Sequence, residues 1–563
     1  LISLLLKKDS KGIDKDPTAM GNWRPLTLLG CDTRILSKCI SLRIKHVITD
    51  IIEQDQTGFI KDRYIGDNIR RLIDTIEHYD QESKPGLIFV ADFKKAFDTL
   101  RWDFMFKALE FFNFGPQLIT WVKVLYEKTT SCVINSGYIS DPFILSRGVR
   151  QGCPLSPYLF LMAVEILAIK IRSNPSIRGL KIYEKITKIS QYADDSNFPF
   201  EPKLESFYAL LSDLERFSNI SGLSLNVDKC KILRLGPLKS TNFRLPTHLP
   251  IQWVDGDVDL LGINIPVDLN LITSVNFEPR LERLDRLLRP MKNKYLSLYG
   301  KIVIINTLVV PQFTNLFQVL PSPNDSFFKV YEKKIFSFIW DNGPERVARR
   351  VLYNTSENGG LNLKNLRAFN TSIKASWVPK LYSHPEWFSS WVTVFHPQLN
   401  HSLFPFYQLS SVINLCLKGF FSEVFMSWFQ FQHVEPTTPA NIRQQVICLN
   451  SNIIIDGKTV CLTAFMNRNI YFINDLLSPD GNFMSYDEFS TNFPNACDQH
   501  RYLQLISAIP GKWKKLLSTE KRKDLVCLPF QKNYKWLRNI KINKSMYIYF
   551  LTSMNEVSLA HNT

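Results

Sequence analysis

Two aspartates stand side by side, Asp194 and Asp195, in the stretch ISQYADDSNF, and a third, Asp92, closes the apolar run PGLIFVADF. Adjacent carboxylates repel, so a protein tolerates them in water or against a cation. A short apolar run bounded by Pro85 and Gly86 reads as a buried strand, with Asp92 at its end. KITKISQYADDSNFPF alternates apolar and polar residues on both sides of the acid pair, the pattern of a β-hairpin with the acids at its turn. Two strand-borne sites could thus set three carboxylates together at one edge of a sheet. Three such charges within a few ångströms need divalent cations, and oxygen ligands select Mg²⁺ or Mn²⁺. Two bound ions can lower the pKa of an attacking hydroxyl and neutralise a pyrophosphate leaving group, which is the chemistry of nucleotidyl transfer. An acid pair in a turn also fits a plain solvated loop, and the neighbouring elements must decide.

Those elements mix strands and helices. Residues 31–56 carry apolar positions at helical spacing, and a basic, aromatic loop then leads to a second helix. KKAFDTLRWDFMFKALEFF returns to helical spacing after Asp92. SCVINSG and PFILSRGV read as two strands, YLFLMAVEILAIKIRS as a buried helix, and LESFYALLSDLERFSNIS as another helix. GLSLNVDKCKILRLG reads as a strand pair. There is no regular βαβ rhythm, which predicts an α+β domain over residues 1–236. After residue 236 a proline-containing linker and DVDLLGINIP lead into the helical RLERLDRLLRPMKNKYLSLYGK, and we expect a second region over 237–364 and a third, mainly helical, over 365–563. Arg280, Arg283, Arg286 and Arg289 are three apart, so each falls back by roughly 60° on a helix and the row sweeps around one side. Leu281, Leu284 and Leu287 are the expected core-facing counterpart. Such a row is either a solvated face or a phosphate-contacting ridge.

The 563 residues include 68 Lys and Arg against 52 Asp and Glu, a net charge of +16. That balance suits a phosphate-bearing partner or an anionic surface, and also a merely basic protein. No stretch reaches transmembrane length, and the opening LISLLLKK has too short an apolar run for a signal peptide, so no membrane role is expected. Ten cysteines are scattered without a CxxC pair, which fits a reducing compartment. Cys497 and His500 form a lone CxxH with no second half, so no zinc site is expected. LLSPDGNFMSYDEF fails as a calcium loop because Leu476 and Ser478 would fall at its first and third ligand positions. The chain starts on Leu1 within what reads as a strand, and we take it as a fragment of a longer product.

ADFKKAFD, RQGCPLSP, QYADD and GLSLNVDKCK occur in the order and at the spacings of a reverse transcriptase palm. GNWRPLTLLGCDTRILSKCI, DQTGFIKDRYIGDNI and SRGVRQGCPLSPYLFLMAVEILA resemble LINE-type (non-LTR) retrotransposon polymerases. The resemblance continues through LYGKIVIINTLVVP, FSFIW, GGLNLKNL and SYDEF, so it covers nearly the whole chain. It implies a right-hand polymerase, with fingers and palm followed by a mainly helical thumb. It implies RNA-directed DNA synthesis from dNTPs onto a primer 3′ end, with an RNA template, a DNA primer or target, and Mg²⁺, or Mn²⁺ as substitute. Work on chromosomal DNA would place it in the nucleus.

The resemblance also assigns residues. Asp92 and Asp194 would be the main metal ligands and Asp195 a weaker one, with Phe93 offering a backbone oxygen. Phe97 matches the steric gate that excludes a 2′-OH, although it also fits a core position, and Asp98 reads as structural. Gln151 and Gly152 match the motif beside the nascent base pair. Lys7 and Arg24 fall where basic finger residues meet the triphosphate, and Lys229 where a lysine could protonate pyrophosphate. Leu260 to Gly262 resembles the turn that grips the primer, and the arginine row would lie on the thumb. Ser196, Asn197, Phe198 and Pro199 depart from the usual residues after the acid pair. A proline there is tolerated best at an edge or strand end. No endonuclease domain or CCHC zinc knuckle is visible. Two alternatives stay open: an inactive remnant that folds and binds RNA, and an RNA-templated RNA polymerase, against which Phe97 argues.

Overall fold

A continuous apolar run and an alternating hairpin, brought side by side, make the sheet around which the first half of the chain is arranged. The computed structural model describes residues 1–377 and 419–518, apart from 8–13, 183–184, 255–256, 293, 357–358, 433–438 and single or paired positions between 444 and 471. The chain divides into two compact units, residues 1–272 and 273–563.

In the first unit β1 (Ile2–Leu6) and β2 (Trp23–Thr27) lead to α1 (Cys31–Ile51) and α2 (Ile65–Gln81). Next come β3 (Gly86–Ala91), α3 (Ala96–Thr99), α4 (Trp102–Phe111) and α5 (Pro116–Tyr126). Four short strands, β4 (Thr130–Ser131), β5 (Val133–Asn135), β6 (Tyr138–Ile139) and β7 (Phe143–Ile144), precede α6 (Ser156–Ser173). The order continues with β8 (Leu180–Ile182), β9 (Lys185–Thr187), β10 (Ser190–Tyr192), β11 (Asp195–Phe200), α7 (Leu204–Ser221), β12 (Lys231–Leu235), β13 (Gln252–Val254), β14 (Val258–Leu260) and β15 (Ile263–Ile265).

The central sheet runs β10-β11-β3-β12-β13, antiparallel except where β12 meets β13. Side chains alternate across a strand. Leu87, Phe89 and Ala91 of β3 accordingly join one core with residues of α1, α4, α5, α6 and α7, while α2 packs against β10 and β12. The α6 sequence is apolar on most sides, and residues from Leu159 to Ala168 are almost all buried, as its pattern predicts. A second sheet, β2-β1-β5-β6, carries the first strands of the chain.

Three local expectations change. GLSLNVDKCKILRLG yields one strand, β12, because Leu225 makes only a single bridging pair with Phe93 and the chain then tightens into a 3₁₀ turn at Val227–Lys229. Pro199 lies in an inner strand, yet β10 ends its pairing at Ser190↔Asn197. The proline therefore has a neighbouring strand on one side only, opposite Ile88, and the missing N–H costs no ladder bond on the other. The β14–β15 hairpin, which we expected with the helical region, lies within the first unit.

The second unit begins with α8 (Ile272–Lys292), α9 (Leu298–Ile304), α10 (Pro311–Val319), α11 (Asp325–Ile339), α12 (Arg349–Tyr353), α13 (Leu366–Ala375) and α14 (Phe420–Gln432). Phe277, Phe313, Phe317, Phe327 and Phe328 meet ring to ring in its core. Trp377, Phe420, Phe421 and Trp428 are buried as core residues, as expected, while Trp387 and Trp391 lie outside the described residues. A further apolar cluster joins residues between Ile442 and Leu517. Among the described residues no single helix is long and apolar enough to cross a membrane, although the bent pair Leu298–Val309 and Pro311–Val319 passes that test jointly. Ile302, Ile305, Val309, Phe313 and Phe317 of that pair are buried.

Candidate active site

The acid pair sits at a tight turn. Tyr192 pairs with Asp195, so Ala193 and Asp194 alone reverse the chain. Ala193 has φ +56°, the left-handed region that costs a residue with a Cβ about 1–2 kcal/mol. Positive φ at the first central residue only is the pattern of a type II′ hairpin turn, which matches strand twist. On the other side of β11, Ser196 pairs with Ala91. One step further along that register, Asp195 stands opposite Asp92. Residues far apart in sequence thus meet at one sheet end.

Asp92 is tied on three sides. Its Oδ2 lies 3.2 Å from Lys229 Nζ and accepts from Asn226 Nδ2 at 2.8 Å. Its backbone carbonyl accepts from the Asn226 N–H at 2.7 Å, and the Lys94 N–H donates to Ser224 O. Those two bonds flank the Phe93–Leu225 bridge, so the pairing does not use the Phe93 carbonyl, as an oxygen ligand would require.

Burial pushes the Asp194 carboxyl above its ordinary value, and the Asp92 charge adds to the rise. Asp195 is pushed up to about 7, first by burial and then by Asp194 and Asp92. Three carboxylates here face one lysine, so the pocket holds more negative charge than its own cations balance. Hard oxygen donors of this kind suit Mg²⁺ or Mn²⁺, and Asp92, Asp194, Asp195 and the Phe93 carbonyl are the residues that would hold them. Among the described residues no three His, Cys, Asp or Glu side chains are drawn together into coordination geometry. Lys229 stands on Asp92 instead.

A basic cluster borders the acids. Arg24 lies on β2 opposite Leu5, and Lys7 directly follows the end of the neighbouring β1. Burial lowers the Lys7 pKa, and the charges of Lys229, Arg24 and Lys95 lower it further. Lys7 and the cations whose charges reach it, Lys229, Arg24, Lys95 and Lys15, suit an anion carrying several charges. Lys95 escaped the sequence reading although it lies in the quoted ADFKKAFD, as Asn226 did in GLSLNVDKCK.

Gln151 and Gly152 are held beside this cluster. The Gln151 carbonyl accepts from the Thr27 N–H at 2.8 Å, and its side chain donates to Asp98 Oδ1 at 3.1 Å. Gly152 has φ +101°, and a Cβ there would come within 3.1 Å of the Thr27 carbonyl, so the loop needs glycine to lie this close. Asp98 holds Gln151, which gives its structural assignment a partner. Phe97 is half-buried, stacked on Phe160 at 4.5 Å and edge-on to Phe59 at 6.2 Å. Phe59, unmarked by sequence reasoning, is exposed at φ +57° and also neighbours Tyr192.

In β14–β15 the turn residues Leu261 and Gly262 both have positive φ, the mark of a type I′ hairpin. In α8, Arg286 and Arg289 are exposed and Arg280 and Arg283 half-buried. The buried row is Phe277, Leu284 and Leu288, whereas Leu281 and Leu287 are half-buried. A strict three-residue step lags the helix by roughly 60° each time, so it leaves the core face that a spacing nearer 3.6 follows.

An antiparallel sheet with one acid at the end of an inner strand and an acid pair at the adjoining hairpin turn is the palm of a right-hand polymerase. The family model for reverse transcriptase (RNA-dependent DNA polymerase) matches residues 6–265. The chain is similar to the Transposon TX1 uncharacterized 149 kDa protein of Xenopus laevis, 29% identical over 405 residues, which are 70% of this chain and 29% of that protein. It is 25% identical to the Pol polyprotein from the type-2 retrotransposable element R2DM of Drosophila melanogaster, over 62% of this chain and 33% of the relative. It is 26% identical to the RNA-directed DNA polymerase from mobile element jockey of Drosophila funebris, over 54% of this chain and 34% of the relative. Residues 6–265 thus match the reverse transcriptase model, and the relatives similar over longer stretches are proteins of transposable elements. Proteins of the reverse transcriptase family are generally divalent-metal dependent. The chain spans about a third of the length of these relatives.

Proposed function

We propose that the chain is an RNA-templated DNA polymerase that adds dNTPs to the 3′ end of a DNA primer, with two Mg²⁺ ions at Asp92, Asp194 and Asp195. The observation that carries this is the meeting of Asp92 with the acid pair beside a cluster of cations around Lys7. When bound, the metals supply activation of the attacking hydroxyl and charge stabilisation at the leaving pyrophosphate, and Mn²⁺ could substitute. Lys7, Arg24 and Lys95 hold the triphosphate. Lys229, released from Asp92, stands within reach of the leaving group and can give it a proton. Phe97 and Phe59 wall the sugar side, so a 2′-OH meets a ring. Gly152 lets backbone approach the nucleotide, and the β14–β15 turn grips the primer end.

In this reading the arginines of α8 contact phosphates of the template–primer duplex, and the primer is a nicked chromosomal strand, which sets the work in the nucleus. Primer extension on an RNA template, with dNTPs and with NTPs, tests the reading. An inactive remnant extends neither, and an RNA polymerase prefers NTPs. Cell fractionation tests the nuclear assignment.

A further inference from the structure

Residues 55–59, in the quoted DQTGFIKDRYIGDNI, form a rail alongside the strand that delivers the acid pair. The Gln191 N–H donates to Asp55 O at 2.8 Å, and the Thr57 N–H donates to Gln191 O at 2.9 Å. The rail is anchored away from the site. Asp55 takes both its oxygens to Arg172 Nη1, at 2.9 and 2.8 Å, and Arg63 donates to the Ile52 and Gln56 carbonyls. Gln56, only 1% exposed, then reaches across to the turn. Its Oε1 accepts from the Ala193 N–H at 2.8 Å and from the Gly58 N–H at 2.9 Å, and its Nε2 donates to the Ala193 carbonyl at 3.3 Å. One amide side chain therefore holds both ends of the left-handed residue. Gly58 lets the rail come this close, because a Cβ there would lie 2.6 Å from the Ala193 nitrogen.

We propose that Gln56 is a positioning residue for the polymerase reaction: by clamping the Ala193 residue in its left-handed conformation, it sets where the Asp194 and Asp195 carboxylates point. It touches no reacting atom and acts through the turn. The proposal rests on the polymerase reading of this site. Without the clamp, only the hairpin pairing opposes the cost of a left-handed alanine, and the turn is freer to relax to a conformation that carries the two acids elsewhere. Glycine at 193 would accept positive φ without help.

The test compares Gln56→Leu, Gln56→Leu with Ala193→Gly, and Gly58→Ala in the whole chain. Displacement of a catalytic group by about 1 Å can cost roughly 10²-fold, so Gln56→Leu should lower kcat by about that factor with little change in KM for dNTP. Adding Ala193→Gly should return roughly tenfold of the loss, since it removes the conformational demand that Gln56 meets. Deuterium exchange should quicken at residues 190–196 in Gln56→Leu and stay unchanged in α6 and α7. Unaltered kcat in Gln56→Leu, or no recovery with Ala193→Gly, overturns the proposal, because a merely structural glutamine would not be rescued at the turn. If Gln56→Leu does not fold, Gly58→Ala decides: the same kcat loss supports the clamp, and full activity overturns it. A wild-type chain that extends no primer would count against the polymerase reading instead, and the exchange measurement would still decide the clamp.

Discussion

Phe97 lies where a packing role and a selective role make different demands on one side chain. Its ring stacks on Phe160, yet it is only half-buried and its far edge meets the exposed Phe59. A fully buried phenylalanine truncated to alanine costs about 3–5 kcal/mol, so a half-buried one replaced by valine should cost less. Phe97→Val is expected to keep a melting temperature near that of the parent while raising ribonucleotide incorporation relative to deoxynucleotide. A large fall in melting temperature with an unchanged incorporation ratio would make Phe97 a core residue only. The meeting of the acids at one sheet end was legible in the sequence, because a continuous apolar run and an alternating hairpin carry them. Lys95 and Asn226 were not, because their roles depend on Lys7 and Asp92 approaching them across other elements.

At the scale of elements, the rail that pairs with β10 shares a charge network with α6. Arg172 pairs with Asp55 and with Glu165, which is 1% exposed. Glu165 Oε2 has no hydrogen-bond partner, and burial pushes this carboxyl up to about 7 against the pull of Arg172. The folded state thus keeps a proton that the unfolded chain has already lost between an ordinary carboxyl value and about 7. The stability tied to that proton is full at low pH and is lost as pH rises through about 7. Glu165→Gln does not titrate, so its melting temperature should fall less than wild type between about pH 5 and pH 8. Parallel curves would contradict the assignment. The hairpin, β3 and the buried α6 were readable from alternation and continuous apolarity. The single strand at 231–235 was misread as a pair because the local pattern cannot say which apolar residues the bridge to Phe93 will take up. Of the helical row Leu281, Leu284 and Leu287 only Leu284 is buried, for the same kind of reason: spacing of three and of 3.6 diverge within a few turns.

For the whole molecule, the proposed function asks a basic chain to hold a polyanion while chemistry proceeds at one sheet end. If Arg283 and Arg286 contact phosphates, each lost contact should reduce the slope of log affinity against log salt by about 0.7–0.9. The double variant Arg283→Ala with Arg286→Ala should therefore bind template–primer duplex more weakly, less salt-dependently and without regard to sequence, at near-parental turnover once saturated. Unchanged affinity and slope would leave the row a solvated face. The division into two units was only partly legible, because the proline-containing segment after residue 236 looks like a linker although β13 pairs with β12 beyond it. The most direct test of the central claim is extension of a DNA primer on an RNA template with Mg²⁺ and dNTPs, comparing wild type with Asp194→Asn. Removing one charged ligand of a catalytic metal removes several kcal/mol of barrier lowering. Wild type should extend the primer and Asp194→Asn should not, with both proteins equally folded by circular dichroism. Equal extension by the two would contradict the account.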